Sequence, residues 1–172
     1  MTVKEILLLG DEFLRKKSRK VFLSEINAEE INDLRDTLID FTEKNGLGRG
    51  IAAPQIGLLK RMIYIISDEF EGILINPEIT LKSNEIFFVW DSCFSLKAEI
   101  FCRVKRNKKI TVSFFDEKGK QKSINAEDSF SELLQHEIDH LDGIMCTDRI
   151  ESAKDLILRE EWEKRGKPFL AG

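Results

Sequence analysis

The chain of 172 residues holds two histidines, and they stand four apart in the run His136-Glu137-Ile138-Asp139-His140. Phe130, Leu133, Leu134, Ile138 and Leu141 recur around them at helical intervals until Gly143, and Ser129 with Glu132 three residues later reads as a capping box. On an α-helix, positions i and i+4 lie one turn apart on one face, so both imidazoles can reach a single cation. At about 100° per residue the pair flanks the apolar stripe, which leaves the imidazoles partly buried. The rest of the chain therefore has to pack around this helix.

The remaining patterns say what does the packing. Asn27 caps a helix with Glu29 and Glu30 in its first turn, Ile31, Leu34, Leu38 and Phe41 on one face, and Gly46 as its stop. Segment 46–57, GLGRGIAAPQIG, is too rich in glycine and small residues for a helix or a paired strand, and reads as a structured loop. Runs rich in Ile, Val, Phe and Tyr at 61–67, 73–76, 86–90, 99–104 and 109–115 are predicted strands. Asp116-Glu117-Lys118-Gly119 is a hairpin turn, so at least part of the sheet is antiparallel. A third helix is expected over 153–165, after Ser152 and before Gly166 and Pro168. The predicted class is α+β, with largely antiparallel sheets around the histidine helix in one domain spanning 1–172.

Composition excludes several functions. Lys and Arg number 27 against 31 Asp and Glu, a net charge of −4, so no global basic field draws the chain to nucleic acid or an anionic membrane. No apolar run approaches the roughly 20 residues of a membrane span, and the first ten residues lack the regions of a signal peptide, which points to the cytoplasm. Three scattered cysteines, Cys93, Cys102 and Cys146, are an odd number and suit reduced thiols or ligands better than a disulfide framework.

The chemistry follows from the histidine pair. A metal with an open position acidifies water, and Glu137, next to the first imidazole, can take the proton. Such a site normally has three protein ligands, and no third histidine exists. Spacing leaves two kinds of third ligand open: a cysteine, or a carboxylate on a later helix such as Glu160 or Glu161, the arrangement of a zinc peptidase.

Three segments, GRGIAAPQIG at 48–57, DSCFS at 91–95 and QHEIDHLDG at 135–143, resemble the three motifs of the peptide deformylase family in order and approximate spacing. The likeness extends to GDEFLRKKS at 10–18, Ile75-Asn76-Pro77-Glu78 and Asp148-Arg149-Ile150. The resemblance implies Cys93, His136 and His140 as ligands of one divalent metal ion, Fe²⁺ by family habit, with Zn²⁺, Ni²⁺ or Co²⁺ compatible with a thiolate. It further implies Glu137 as general acid and base, with the Gln55 amide and the Phe94 N–H as oxyanion donors. The implied activity is hydrolysis of the N-formyl group from formylmethionyl peptides of nascent chains, releasing formate, with the ribosome as an implied partner. A paralogue with altered substrate preference and a metal-binding protein without turnover are the alternatives.

The match breaks in places that matter. The second motif normally begins Glu-Gly, where this chain has Asp91-Ser92, and Ser92 brings a Cβ where glycine would permit a positive φ. Phe101 stands where the family has an arginine, while Arg106 matches a later arginine with Asp91 as its expected partner. The substrate pocket falls to Gly50, Arg49 and Glu132, the last two replacing apolar residues of the family. Either Glu132 completes the Ser129 cap with Arg49 in solvent, or the two form a charged pocket and pair with each other.

Overall fold

The computed structural model describes residues 2–172. Helix α1 is Ala28–Asn45, with the Asn27 side chain accepting from the Glu29 N–H at 2.8 Å. Strands β1 (Gly50–Ala52), β2 (Met62–Ile66), β3 (Glu71–Lys82), β6 (Lys109–Phe115) and β7 (Gln121–Glu127) form one antiparallel sheet in the order β1-β2-β3-β6-β7. Strands β4 (Ile86–Ser92), β5 (Ile100–Asn107) and β8 (Leu156–Leu158) form a second, in that order. Helix α2 is Asp128–Leu141 and the short α3 is Arg159–Lys164. The architecture is α+β, as the sequence predicts.

Period-two alternation in β2 explains how the larger sheet is clad on both faces. Ile63 and Ile65 point to one side, where they meet Leu134, Ile138 and Leu141 of α2; Met62 and Tyr64 point to the other, where they meet Leu34 and Leu38 of α1. The second sheet contributes Val89, Cys102 and Val104 to a third apolar cluster, with Leu14, Cys93 and Cys146. Helix α2 contacts strands of both sheets, and every residue from Phe130 to Leu141 is buried. A helix covered all round is unusual in a chain of this size, and it encloses its polar residues together with its apolar ones. No helix among the described residues is long and apolar enough to cross a membrane.

Four expectations are corrected. The segment read as a loop contains β1, whose Gly50, Ile51 and Ala52 pair with Ile65, Tyr64 and Ile63 of β2, followed by a 3₁₀ turn at Ala53–Ile56. Only three residues pair there, too few for alternation to be visible. The third helix is six residues long: Ser152 caps a 3₁₀ turn at Ala153–Asp155, and Leu156–Leu158 pair with β5. Three consecutive apolar residues fit an edge strand better than one helical stripe. Strand β3 runs past Pro77, and the ladder shifts register between Ile75 and Glu78, where the missing N–H costs no ladder bond. Finally, α2 starts at Asp128 with Glu127 at its N-cap and no side-chain cap, so Ser129 and Glu132 form no capping box.

Candidate active site

Strand β4 ends at Ser92, and Cys93 follows it into a 3₁₀ turn, Phe94–Leu96. That turn carries Cys93 against the α2 face bearing both histidines. Cys93 Sγ lies 3.3 Å from His140 Nε2, which lies 3.1 Å from His136 Nε2. Relative exposures of 1% for Cys93, 5% for His136 and 1% for His140 exclude a pair of solvated surface histidines. Glu160 and Glu161 sit exposed on α3, and Glu161 pairs with Lys164.

The three donors suit a cation: their ligand atoms, a soft sulfur with two imidazole nitrogens, lie within 4.8 Å of one another, and all three residues are buried. The Asp91 carboxylate holds the His136 ring from behind, Oδ1 lying 2.7 Å from Nδ1, so Nε2 faces Cys93 and His140. Asp91, Glu132 and His136 make a second trio within 4.8 Å, but Arg106 engages Asp91 and Arg49 engages Glu132. Burial pushes the Cys93 thiol up, and the two histidines pull it back only in part.

Asp91 belongs to a buried charge chain. Arg106 donates to Asp91 Oδ2 at 2.8 Å and to Asp139 Oδ2 at 2.6 Å, and Arg149 donates to Asp139 Oδ1 at 2.6 Å. Burial alone would raise the Asp91 carboxyl, but His136 and Arg106 outweigh it and hold it at about 2. The expected pairing of Arg106 with Asp91 is present; Asp139 and Arg149 are additions that spacing alone did not signal. Ser92 lies in β4 opposite Phe101 without a positive φ, so its Cβ brings no strain. Replacing Arg106 with Leu leaves two carboxylates in the interior without their shared cation. Denaturant unfolding of Arg106→Leu should show a loss of about 3 to 5 kcal/mol; an unchanged midpoint would show that the carboxylates do not need it.

The oxyanion candidates flank the sulfur. Gln55 Oε1 accepts from the Ala52 N–H at 2.9 Å, which turns Nε2 toward Cys93 Sγ at 3.7 Å and Ser95 Oγ at 3.3 Å. Phe94 opens its 3₁₀ turn, so its N–H has no partner within that turn. Its ring stacks on Phe41 with centroids 3.9 Å apart, and a Cβ on Gly48, where φ is +128°, would overlap it at 2.3 Å.

Glu137 and Gly50 meet across the cleft. A Cβ on Gly50 would lie 2.8 Å from Glu137 Oε1 and 2.9 Å from Ile65 Cδ1, so only glycine leaves the carboxylate its place. Glu137 Oε2 is buried without a partner, and burial pushes this carboxyl up to about 8. Arg49 does not point to solvent. Its guanidinium donates to Glu132 Oε2, Ser129 Oγ and the Ser129 carbonyl, each at 3.3 Å. Burial pushes Glu132 up to about 7, with Asp91 adding and His136, Arg49 and Arg106 opposing. One cavity of about 190 Å³ is lined by Gln55, His136 and Glu137, by Arg49 and Glu132, and by an aromatic wall that includes Trp162 and Phe169. Sequence reasoning missed that wall, because it placed Trp162 on a longer helix and assigned nothing to Phe169.

Comparison with known proteins shows the family. Residues 3–155 match the family described as polypeptide deformylase. A peptide deformylase of Thermodesulfovibrio yellowstonii is 38% identical over 170 residues, covering 96% of this chain and 99% of that one. Peptide deformylase 2 of Clostridium acetobutylicum is 37% identical over 150 residues, covering 87% and 97%. The crystal structure of peptide deformylase from Thermotoga maritima aligns with a TM-score of 0.80 at 28% identity, over 88% of this chain and 100% of that one. This chain belongs to the peptide deformylases, a family of metal-dependent hydrolases that remove the N-formyl group from nascent peptides.

Proposed function

We propose that this chain, as one catalytic unit over 1–172, removes the formyl group from formylmethionyl peptides, with Cys93, His136 and His140 holding one divalent cation. The observation that carries the proposal is the convergence of that thiol and two imidazoles beside Glu137 and Gln55 in one buried site. A divalent cation held by these three residues would supply Lewis acidity and lower the pKa of a water molecule. Glu137 takes a proton from the attacking water and returns it to the amine nitrogen as the C–N bond breaks, leaving formate and a free amino terminus. The Gln55 amide and the Phe94 N–H donate to the oxygen that gains charge in the transition state. Asp91 orients His136, and Gly50 gives the Glu137 carboxylate room.

Fe²⁺ is the proposed native ion, because a thiolate with two imidazoles suits it and the family typically uses it, although the same donors accept Zn²⁺, Ni²⁺ and Co²⁺. The proposed setting is the cytoplasm, at or near the ribosome, where formylated nascent chains emerge. Formate release from formyl-Met peptides by anaerobically prepared, Fe²⁺-loaded protein tests the whole reading. Turnover supports it, whereas tightly bound metal with no release would favour a metal-binding protein of the same fold.

The Arg49–Glu132 pair supports a second reading, an altered preference for the first side chain of the substrate. Glu132 lies one helical turn before His136, so the pair borders the place where substituents on the formylated residue must sit. A methionine side chain there gains less from burial than it would against apolar walls. The double substitution Arg49→Ile with Glu132→Ile should raise kcat/KM for formyl-Met peptides about tenfold, ~1.4 kcal/mol. Each single change should do worse than the double, since it leaves one charge unpaired. A strong formyl-Met preference in the native protein, unaltered in all three variants, would end this reading.

A further inference from the structure

The last residues of the chain run beside β4 and complete the cleft. Trp90 N–H donates to the Phe169 carbonyl at 2.9 Å and Ala171 N–H to the Phe88 carbonyl at 3.0 Å, with Leu170 bridging to Val89 in antiparallel fashion. Trp162 Nε1 donates to the Pro168 carbonyl at 2.8 Å, and Arg103 donates to the Ala171 carbonyl at 3.0 Å while its guanidinium lies 3.9 Å above the Phe88 ring. The segment alternates as a strand does. Phe169 faces the cleft, Leu170 is 61% exposed, and Ala171 is buried.

This packing puts aromatic surface on the cavity that also holds Gln55, His136 and Glu137. Trp90 and Phe169 are half-buried at its wall, with the stacked rings of Phe101 and Trp162, centroids 4.3 Å apart, beside them. Distance along β4 sets which part of a substrate reaches that wall. Trp90 stands three residues before Cys93, about 10 Å at the rise of a strand, which an extended peptide attached to a reacting formyl group covers within two or three residues. The match to the family described as polypeptide deformylase ends at residue 155, before Trp162 and Phe169.

We propose that the 166–171 segment, through Phe169 on the cavity wall it shares with Trp90 and Trp162, forms a subsite that selects an apolar or aromatic side chain on the residue following the formylated one. The inference deepens the proposed deformylase function and rests on it. Binding of that side chain covers Trp90 and Phe169, so the selection acts mainly on KM, while the reacting groups on α2 and β4 keep their arrangement.

The experiment is a series of formyl-Met-X-Ala peptides, X being Phe, Leu, Ser or Gly, with formate release measured for the Fe²⁺-loaded full chain, Phe169→Ala and Leu170→Ala. The native protein should favour Phe and Leu over Ser and Gly by roughly tenfold in kcat/KM, expressed in KM. Phe169→Ala should lose most of that preference. Leu170→Ala, altered on the outward face of the same segment, should keep it. Intrinsic tryptophan fluorescence offers a second readout, since saturating formyl-Met-Phe-Ala should perturb Trp90 and Trp162 emission more than formyl-Met-Gly-Ala does. Equal kcat/KM across X in the native protein, or a preference that survives in Phe169→Ala, would overturn the subsite and leave the deformylase reading standing. Absence of formate from every peptide would overturn both.

Discussion

Glu137→Ala, loaded with metal, is expected to release formate about 10² to 10⁴ times more slowly than the native protein, roughly 3 to 5 kcal/mol of barrier. Among the described residues lining the cleft, Glu137 is the acidic side chain without an ion-pair partner. Glu132 is held by Arg49, whereas Glu137 Oε2 is buried with no partner and Oε1 lies over Gly50. A carboxylate kept unsatisfied in the interior destabilises the fold, so its retention points to use in the reaction rather than in stability. Metal content separates the two ways of losing activity. Glu137→Ala should keep the native stoichiometry, because the carboxylate handles protons and the donors are Cys93, His136 and His140. Glu137→Gln should behave alike in turnover while preserving volume. Near-native formate release by the metal-loaded Ala variant would refute the role.

Much of this site could be read from the sequence because it rests on local geometry. His136 and His140 are one turn apart on any helix, and the stripe through Leu134, Ile138 and Leu141 dictates burial of that helix whatever packs on it. Helix α1 is equally local, set by the Asn27 cap and its apolar spacing. Features decided by partners distant in sequence were harder to read. Strand β1 exists because β2 offers it a ladder, and β8 because β5 needs an edge neighbour. Ser129 and Glu132 have the spacing of a capping box, yet helix α2 begins one residue before Ser129, so the serine receives a hydrogen bond from Arg49 and Glu132 takes the same guanidinium. The Asp91–Arg106 pair was legible through family likeness, but the extension through Asp139 to Arg149 appears only once α2 lies beside β5.

Cys93→Ala should abolish metal binding, and formate release should fall below detection. The expectation rests on the choice between a cysteine and a later carboxylate as the third donor, which sequence spacing left open. Cys93 Sγ sits 3.3 Å from His140 Nε2 within the trio, while Glu160 and Glu161 stand exposed on α3. A methyl group cannot replace a thiolate, and two imidazoles alone bind a divalent ion far more weakly than three donors of a preformed site. Removing the sulfur from a position 1% exposed also opens a small cavity, so Cys93→Ser is the companion variant of nearly unchanged volume. It should keep the fold, checked by thermal unfolding, with metal affinity lowered because a hydroxyl is a poorer ligand than a thiolate. Elemental analysis after gel filtration reads both variants alongside Glu160→Ala and Glu161→Ala, which should retain full stoichiometry. Full metal in Cys93→Ala together with loss in either glutamate variant would transfer the third ligand to α3 and make the site that of a zinc peptidase.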